Sequence, residues 1–235
     1  ALEKLREEGV NTDSVKRTSE ASTGVGFVMV EESGDNRIII DFGANNFLYP
    51  EDIRKMEGII EGSSYLLLQL EINIAAVAEA VRIAAAKGVP VILNPAPFQR
   101  ISDEVLEMVT YLTPNEGEAA LLLGENKSDL TSQEMCDELF ARYKTRVIVT
   151  VGSEGAVYRT PEGFGRAPCR SVKACDTTGA GDTFNAALAV ALTEGKPLES
   201  ALDFANAAAG ISVTRHGVVP SIPFRDEVDR ILEGK

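Results

Sequence analysis

The chain alternates between two hydrophobic rhythms. Short continuous apolar runs, "SYLLLQL", "VPVIL", "YLT" and "RVIVTV", have the length and composition of strands buried on both faces. Longer stretches with apolar residues three and four apart lie between them: "NIAAVAEAVRIAAAKG", "SDEVLEMV", "NEGEAALLLG" and "SQEMCDELFARY". Each predicts an amphipathic helix, the first closed by Gly88. "NAALAVALTEG" predicts a further helix, with Gly195 as its stop and Pro197 beyond. The alternation predicts one α/β domain over residues 1–235, a doubly wound and mainly parallel sheet with helices on both faces. Residues 22–43 break the rhythm. "STGVGFVMVEE" and "RIIIDFG" flank the turn "SGDN", which predicts a β-hairpin attached as a small lid.

A second pattern concerns where the strands stop. "LLLQLE" ends at Glu71, "VILN" at Asn94 and "YLTPN" at Asn115, and "VIVTVGSEG" runs out through Thr150 to Gly155. In open α/β sheets, ligands bind outside the carboxyl ends of the strands. Four polar strand ends in one chain therefore predict a shared cleft.

Composition narrows what that cleft holds. The chain has 235 residues, 44% hydrophobic and 25% charged, which suits a single sizeable globular domain. Its net charge of −13 argues against nucleic acid, which needs a basic face. The apolar runs are too short to span a bilayer, and no signal peptide is visible. The opening "ALEKLREEGV" reads as an amphipathic helix, and its lack of an initiator Met suggests a processed or truncated start. Cys136, Cys169 and Cys175 show neither metal-ligand spacing nor a paired framework, which predicts a reducing cytoplasm. The single histidine, His216, sits in "TRHG" beside an expected helix end, so acid–base chemistry falls to a carboxylate.

One segment concentrates that chemistry. "DTTGAGDTF" (176–184) places two glycines and Asp182 at the start of the "NAALAVAL" helix. Free N–H groups and the positive end of the helix dipole make such a start an anion site. Gly179 and Gly181 allow close approach, and Ala180 adds little bulk. A carboxylate beside an anion hole holds phosphate poorly, but it is well placed to take a proton from a hydroxyl attacking phosphorus. The plainer reading is a helix start whose acidic first turn suits the dipole.

These motifs resemble the ribokinase-like (PfkB) carbohydrate kinases along the whole chain. "DTTGAGDTF" is similar to the family's C-terminal signature, and "TPNEGEA" to its Asn-x-x-Glu motif, at Asn115 and Glu118. "TVGSEG" (150–155) resembles the nucleotide loop, and "FANAAAGISVTRHGVVPSIP" the adenine and monovalent-cation segment. "QLE" and "NPAP", with "STGVGFVMV" and "GAN", point to the members that convert D-ribose to D-ribose 5-phosphate. The resemblance implies ATP, Mg²⁺ and K⁺ as cofactors. Asp182 would be the base, with Gly179, Ala180 and Gly181 as the anion hole and Glu71 on the sugar. Asn115 and Glu118 would place Mg²⁺ and phosphates; Thr150, Val151, Gly152, Ser153, Glu154, Gly155 and Asn206 would line the ATP site. Asp176, Thr178, Ser212, Arg215, Gly217 and Ser221 would surround K⁺, several through carbonyls. Plainer readings stand beside these: a helix cap at Asn115 and Glu118, a satisfied core amide at Asn206, a helix-end cap at Arg215, and a simple strand-end carboxylate at Glu71.

The family's N-terminal sugar-binding strand and Gly-Gly-Lys-Gly stretch have no counterpart in these residues. Roughly a fifth to a quarter of a typical member is thus expected to be missing, judged from the usual size of such domains. Fructokinase, 2-keto-3-deoxygluconate kinase and adenosine kinase activities remain alternatives, as does a catalytically silent nucleotide-binding fragment. The apolar alternation of the hairpin suggests homodimerisation through the lid.

Overall fold

A computed structural model describes residues 2–30, 36–124 and 129–234. The hairpin stands apart as a two-stranded antiparallel sheet of β1 (Thr23–Val30) and β2 (Asn36–Gly43). Phe27 lies opposite Ile39 and Val25 opposite Asp41. Residues 33–35 of the expected turn lie outside the described residues.

The main sheet has six strands, in the order of the chain: β3 (Leu66–Leu68), β4 (Val91–Leu93), β5 (Tyr111–Leu112), β6 (Arg146–Thr150), β7 (Ala156–Thr160) and β8 (Gly163–Ala167). The first four run parallel, while β7 and β8 return antiparallel as a hairpin. That hairpin is not evident in the hydrophobic pattern, because "GFGRA" holds two glycines and a charge in five residues.

Side-chain alternation divides the core into two layers. Val91, Leu93, Leu112, Val147 and Val149 face one way. They pack against α2 (Pro50–Lys55), α3 (Glu57–Glu61), α4 (Ile74–Lys87), α5 (Asp103–Leu106), α6 (Glu116–Leu123) and α7 (Ser132–Tyr143). Ile92, Tyr111, Ile148, Ala156 and Tyr158 face the other way, against α8 (Ala180–Thr193), α9 (Leu198–Ser212) and α11 (Arg225–Leu232). A short α10 (Val218–Ser221) links the last two helices, and α1 (Leu2–Glu7) buries none of its residues.

The helix ends follow local chemistry. Asn73 caps α4 by accepting from the Ala75 N–H at 2.9 Å, and Gly88 ends it in the left-handed region at φ 71°. Reciprocal capping boxes start α6 and α7. Because β3 to β6 are parallel, Glu71, Asn94, Asn115 and Thr150 all emerge at one edge, as the strand ends predict.

Candidate active site

At that edge the strand ladder continues into polar residues. The Asn94 N–H donates to Leu68 O, the Thr113 N–H to Leu93 O, and the Thr150 N–H to Pro114 O, at 2.9, 2.9 and 3.0 Å. An isolated parallel bridge then joins Asn115 to Thr150. The expected phosphate turn and nucleotide loop therefore leave the sheet side by side.

The start of α8 lies against this edge. Its N-cap is Gly179, at φ 78°, and a Cβ there would come within 2.7 Å of Val218 Cγ1. Unlike α4, α6 and α7, this helix start carries no side-chain cap. A helix start leaves its first N–H groups without intrahelical partners, and here no side chain takes that place. The Ala180 N–H has a partner, Thr177 O at 3.2 Å, and the Thr183 N–H donates to Gly179 O at 2.9 Å, so the N–H groups of Gly181 and Asp182 are the ones better disposed toward an anion. Asp182 is the third residue of the helix.

Three carboxylates converge here, from the loop after β3, from α6 and from α8. Burial pushes the Asp182 carboxyl above its usual range. Burial raises Glu118 too; hydrogen bonds from Asn115 oppose the rise, and the charge of Asp182 adds to it. Glu71 is raised by burial first and by Asp182 second. Asn115 and Glu118 form the capping box that was the plainer alternative: Asn115 N–H donates to Glu118 Oε2 at 2.9 Å, and Glu118 N–H to Asn115 Oδ1 at 2.8 Å.

Two cavities flank the helix start. One, of about 390 Å³, is lined by Asn115, Thr150, Gly152, Gly155, Ala180, Gly181 and Asn206. Val151, Ser153 and Glu154 lie outside its wall, although they complete the loop. Gly155, at φ 95°, packs so closely on the end of β8 that a Cβ would meet Ala167 O at 2.3 Å. Asn206 holds the same carbonyl, its Nδ2 donating to Ala167 O at 2.7 Å. Its amide is thus satisfied within the protein, as the plainer reading had it, while the residue also lines the cavity. The other cavity, of about 480 Å³, reaches Gly179 and Asp182 from the far side and is mostly apolar, with Leu67, Phe204 and Val218 in its wall.

The expected monovalent-cation segment is joined only in part. Asp176 accepts from the Thr178 N–H at 3.0 Å and from the Gly217 N–H at 3.1 Å, and these bonds hold its carboxyl below the usual range. The Cys175 N–H donates to Val213 O at 2.8 Å, fastening the 175–178 loop to the end of α9. Ser212 and Ser221 turn their hydroxyls back to Ala209 O and Val218 O. The Arg215 guanidinium pairs with Glu227, which corrects the alternative of a helix-end cap. The Arg215 side chain has no acceptor to offer an ion, whereas the two serine hydroxyls keep their oxygen lone pairs.

Two buried polar side chains at this edge are not singled out by the pattern. Thr113 and Asn185 are each 1% exposed, and Thr113 Oγ1 donates to Asn185 Oδ1 at 2.6 Å. A lone amide inside the apolar stripe "TFNAALAVAL" was the available signal.

The pfkB family carbohydrate kinase model matches residues 1–225. A ribokinase of Schizosaccharomyces pombe is 40% identical over 234 residues, covering 97% of this chain and 73% of that protein. A ribokinase of Bacillus subtilis is 38% identical, covering 98% of this chain and 76% of its own. The crystal structure of a Thermotoga maritima ribokinase superposes with a TM-score of 0.88 at 38% identity, over 99% of this chain and 76% of that one. An Arabidopsis thaliana ribokinase, solved in complex with ribose and ATP, gives 0.83 at 33% identity, over 96% of this chain and 74% of that one. The chain belongs to the PfkB family of carbohydrate kinases.

Proposed function

We propose that this chain is an ATP-dependent kinase that converts D-ribose to D-ribose 5-phosphate. One observation carries the reading: Asp182 stands in the first turn of an uncapped helix, between two cavities. ATP occupies the cavity beside Gly152, Gly155 and Gly181, and the sugar approaches Asp182 from the side of Glu71. Asp182 takes the proton of the primary hydroxyl as its oxygen bonds to the γ-phosphorus and the bond to the ADP oxygen breaks. The N–H groups of the helix start receive the charge that builds on the transferring group. The raised carboxyl of Asp182 makes it a stronger proton acceptor than an unperturbed aspartate.

Mg²⁺ suits the Asn115–Glu118 turn, where Glu118 keeps Oε1 outside its capping bond and feels the charge of Asp182. The metal would neutralise phosphate charge there. K⁺ suits the loops tied by Asp176, since one carboxylate among backbone carbonyls fits a weakly held monovalent ion. Residues 22–43 serve as the lid of a single domain spanning 1–235. The lid presents Val25, Phe27 and Ile39 to solvent, 48, 60 and 58% exposed, as the face through which two copies pair. The free thiols Cys136, Cys169 and Cys175 fit a reducing compartment, the cytoplasm.

The test is Asp182→Asn, assayed for ribose phosphorylation with ATP, Mg²⁺ and K⁺. Turnover should fall about 10²–10⁴-fold while an ATP analogue still binds. Turnover near that of the unaltered protein would reduce Asp182 to a helix-start residue.

A further inference from the structure

We infer that Thr113 and Asn185 form a positioning bridge that sets Asp182 against the Asn115–Glu118 turn. Asn185 lies three residues after Asp182 in α8, and Thr113 lies two residues before Asn115 at the end of β5. Thr113 Oγ1 donates to Asn185 Oδ1 at 2.6 Å, and Asn185 Nδ2 donates to Gly181 O at 2.9 Å. The amide has one workable orientation. The Gly181 carbonyl can only accept, so the nitrogen faces it and the oxygen is left for the hydroxyl. Behind Thr113, Asn94 Nδ2 donates to Thr113 O at 2.8 Å, extending the line to β4.

This line runs through a layer otherwise built of apolar side chains, including Ile92, Phe184, Leu188 and Ala208. A leucine at 185 would fill such a stripe with no bonding requirement. A buried amide is tolerated only with its partners in place. Sliding α8 along β5 would leave Asn185 Oδ1 without a donor, while the Thr113 hydroxyl would fall back on Leu93 O, 3.3 Å away. Such a pair penalises displacement more than it adds stability. The elements it fastens are those carrying Asp182 and Glu118, whose charges already act on one another. An error of about 1 Å in such a site is enough to lose roughly 10²-fold in rate. The inference rests on the reading of Asp182 as the base.

The decisive variant is Thr113→Val/Asn185→Leu. It replaces both partners with apolar groups of similar shape, which leaves stability nearly unchanged. We expect a retained melting temperature, an unchanged KM for ATP and a kcat lower by about 10- to 100-fold. Thr113→Ser, which keeps the hydroxyl beside Asn185, should keep kcat. Added to Asp182→Asn, the double variant should lower the residual rate no further. A full kcat in the folded double variant overturns the bridge, and so does the same fold-loss in the Asp182→Asn background. A double variant that cannot fold also overturns it, because the pair then serves the fold. Normal turnover by Asp182→Asn alone would instead sink the reading of the base, whatever the bridge does.

Discussion

Gly179→Ala tests whether the helix start is built as described. Gly179 sits at φ 78°, where a side chain meets its own backbone at a cost of about 1–2 kcal/mol. The new Cβ would also lie 2.7 Å from Val218 Cγ1. Val218 is 42% exposed and free to turn, which puts this overpacking at the low end, about 1 kcal/mol. The sum is about 2–3 kcal/mol, or roughly 4–12 °C in melting temperature for a domain of this size. In a Val218→Ala background the next contact is Val218 Cβ at 3.7 Å, an ordinary distance, so only the backbone strain of about 1–2 kcal/mol remains. Thermal and urea denaturation of the four proteins give both numbers, and ribose turnover by each reports whether the anion site moved. An unchanged melting temperature for Gly179→Ala would refute the left-handed cap. Equal losses in the two backgrounds would refute the contact with Val218.

Asn206→Leu should leave the buried Ala167 carbonyl without its donor, lowering stability by about 1–3 kcal/mol and raising the KM for ATP; titration of initial rates against ATP measures the second effect. The raised carboxyls of Asp182, Glu118 and Glu71 bind protons more tightly folded than unfolded. Their contribution is therefore greatest at low pH and is lost as pH rises through the folded values. Denaturation across the acidic range should show Asp182→Asn gaining on the unaltered protein as pH rises, while kcat of the unaltered protein rises over the same window; parallel stability curves for the two would contradict the shift. Replacing K⁺ by Na⁺ or a bulky organic cation should lower turnover, and Asp176→Ala should remove most of that dependence, as rates measured in each salt would show.

The parallel half of the fold was legible because its strands are continuous apolar runs and its helices are periodic. Gly88 and Gly195 punctuated them as expected, each at positive φ. The β7–β8 hairpin was not legible, since Gly163 and Gly165 interrupt the pattern that marks a strand. Gly165 is there for space, because a Cβ would meet the Tyr158 ring at 2.2 Å. At the site, Asp182 and its glycines could be found from their position before a helix. The partners of Arg215 and Asn206, by contrast, lie 12 and 39 residues away, and no local pattern encodes such contacts. Thr113 and Asn185 are 72 positions apart and look like ordinary strand-end and helix residues until folding joins them.

The division of the core between the two faces of the sheet has a consequence for synthesis. Domains emerge N-terminus first at about 5–20 residues per second. The layer around Val91, Leu112 and Val149 is completed by helices that precede residue 144, so it can pack early. Ile92, Tyr111 and Ile148 stay uncovered until α8, α9 and α11 arrive, and α8 alone begins 30 residues after β6 ends. For those seconds the nascent chain presents an apolar sheet face to solvent, and surface exposed in this way is prone to aggregation. The helix that closes this face also brings Asp182, so catalytic competence and concealment of the sheet are acquired together.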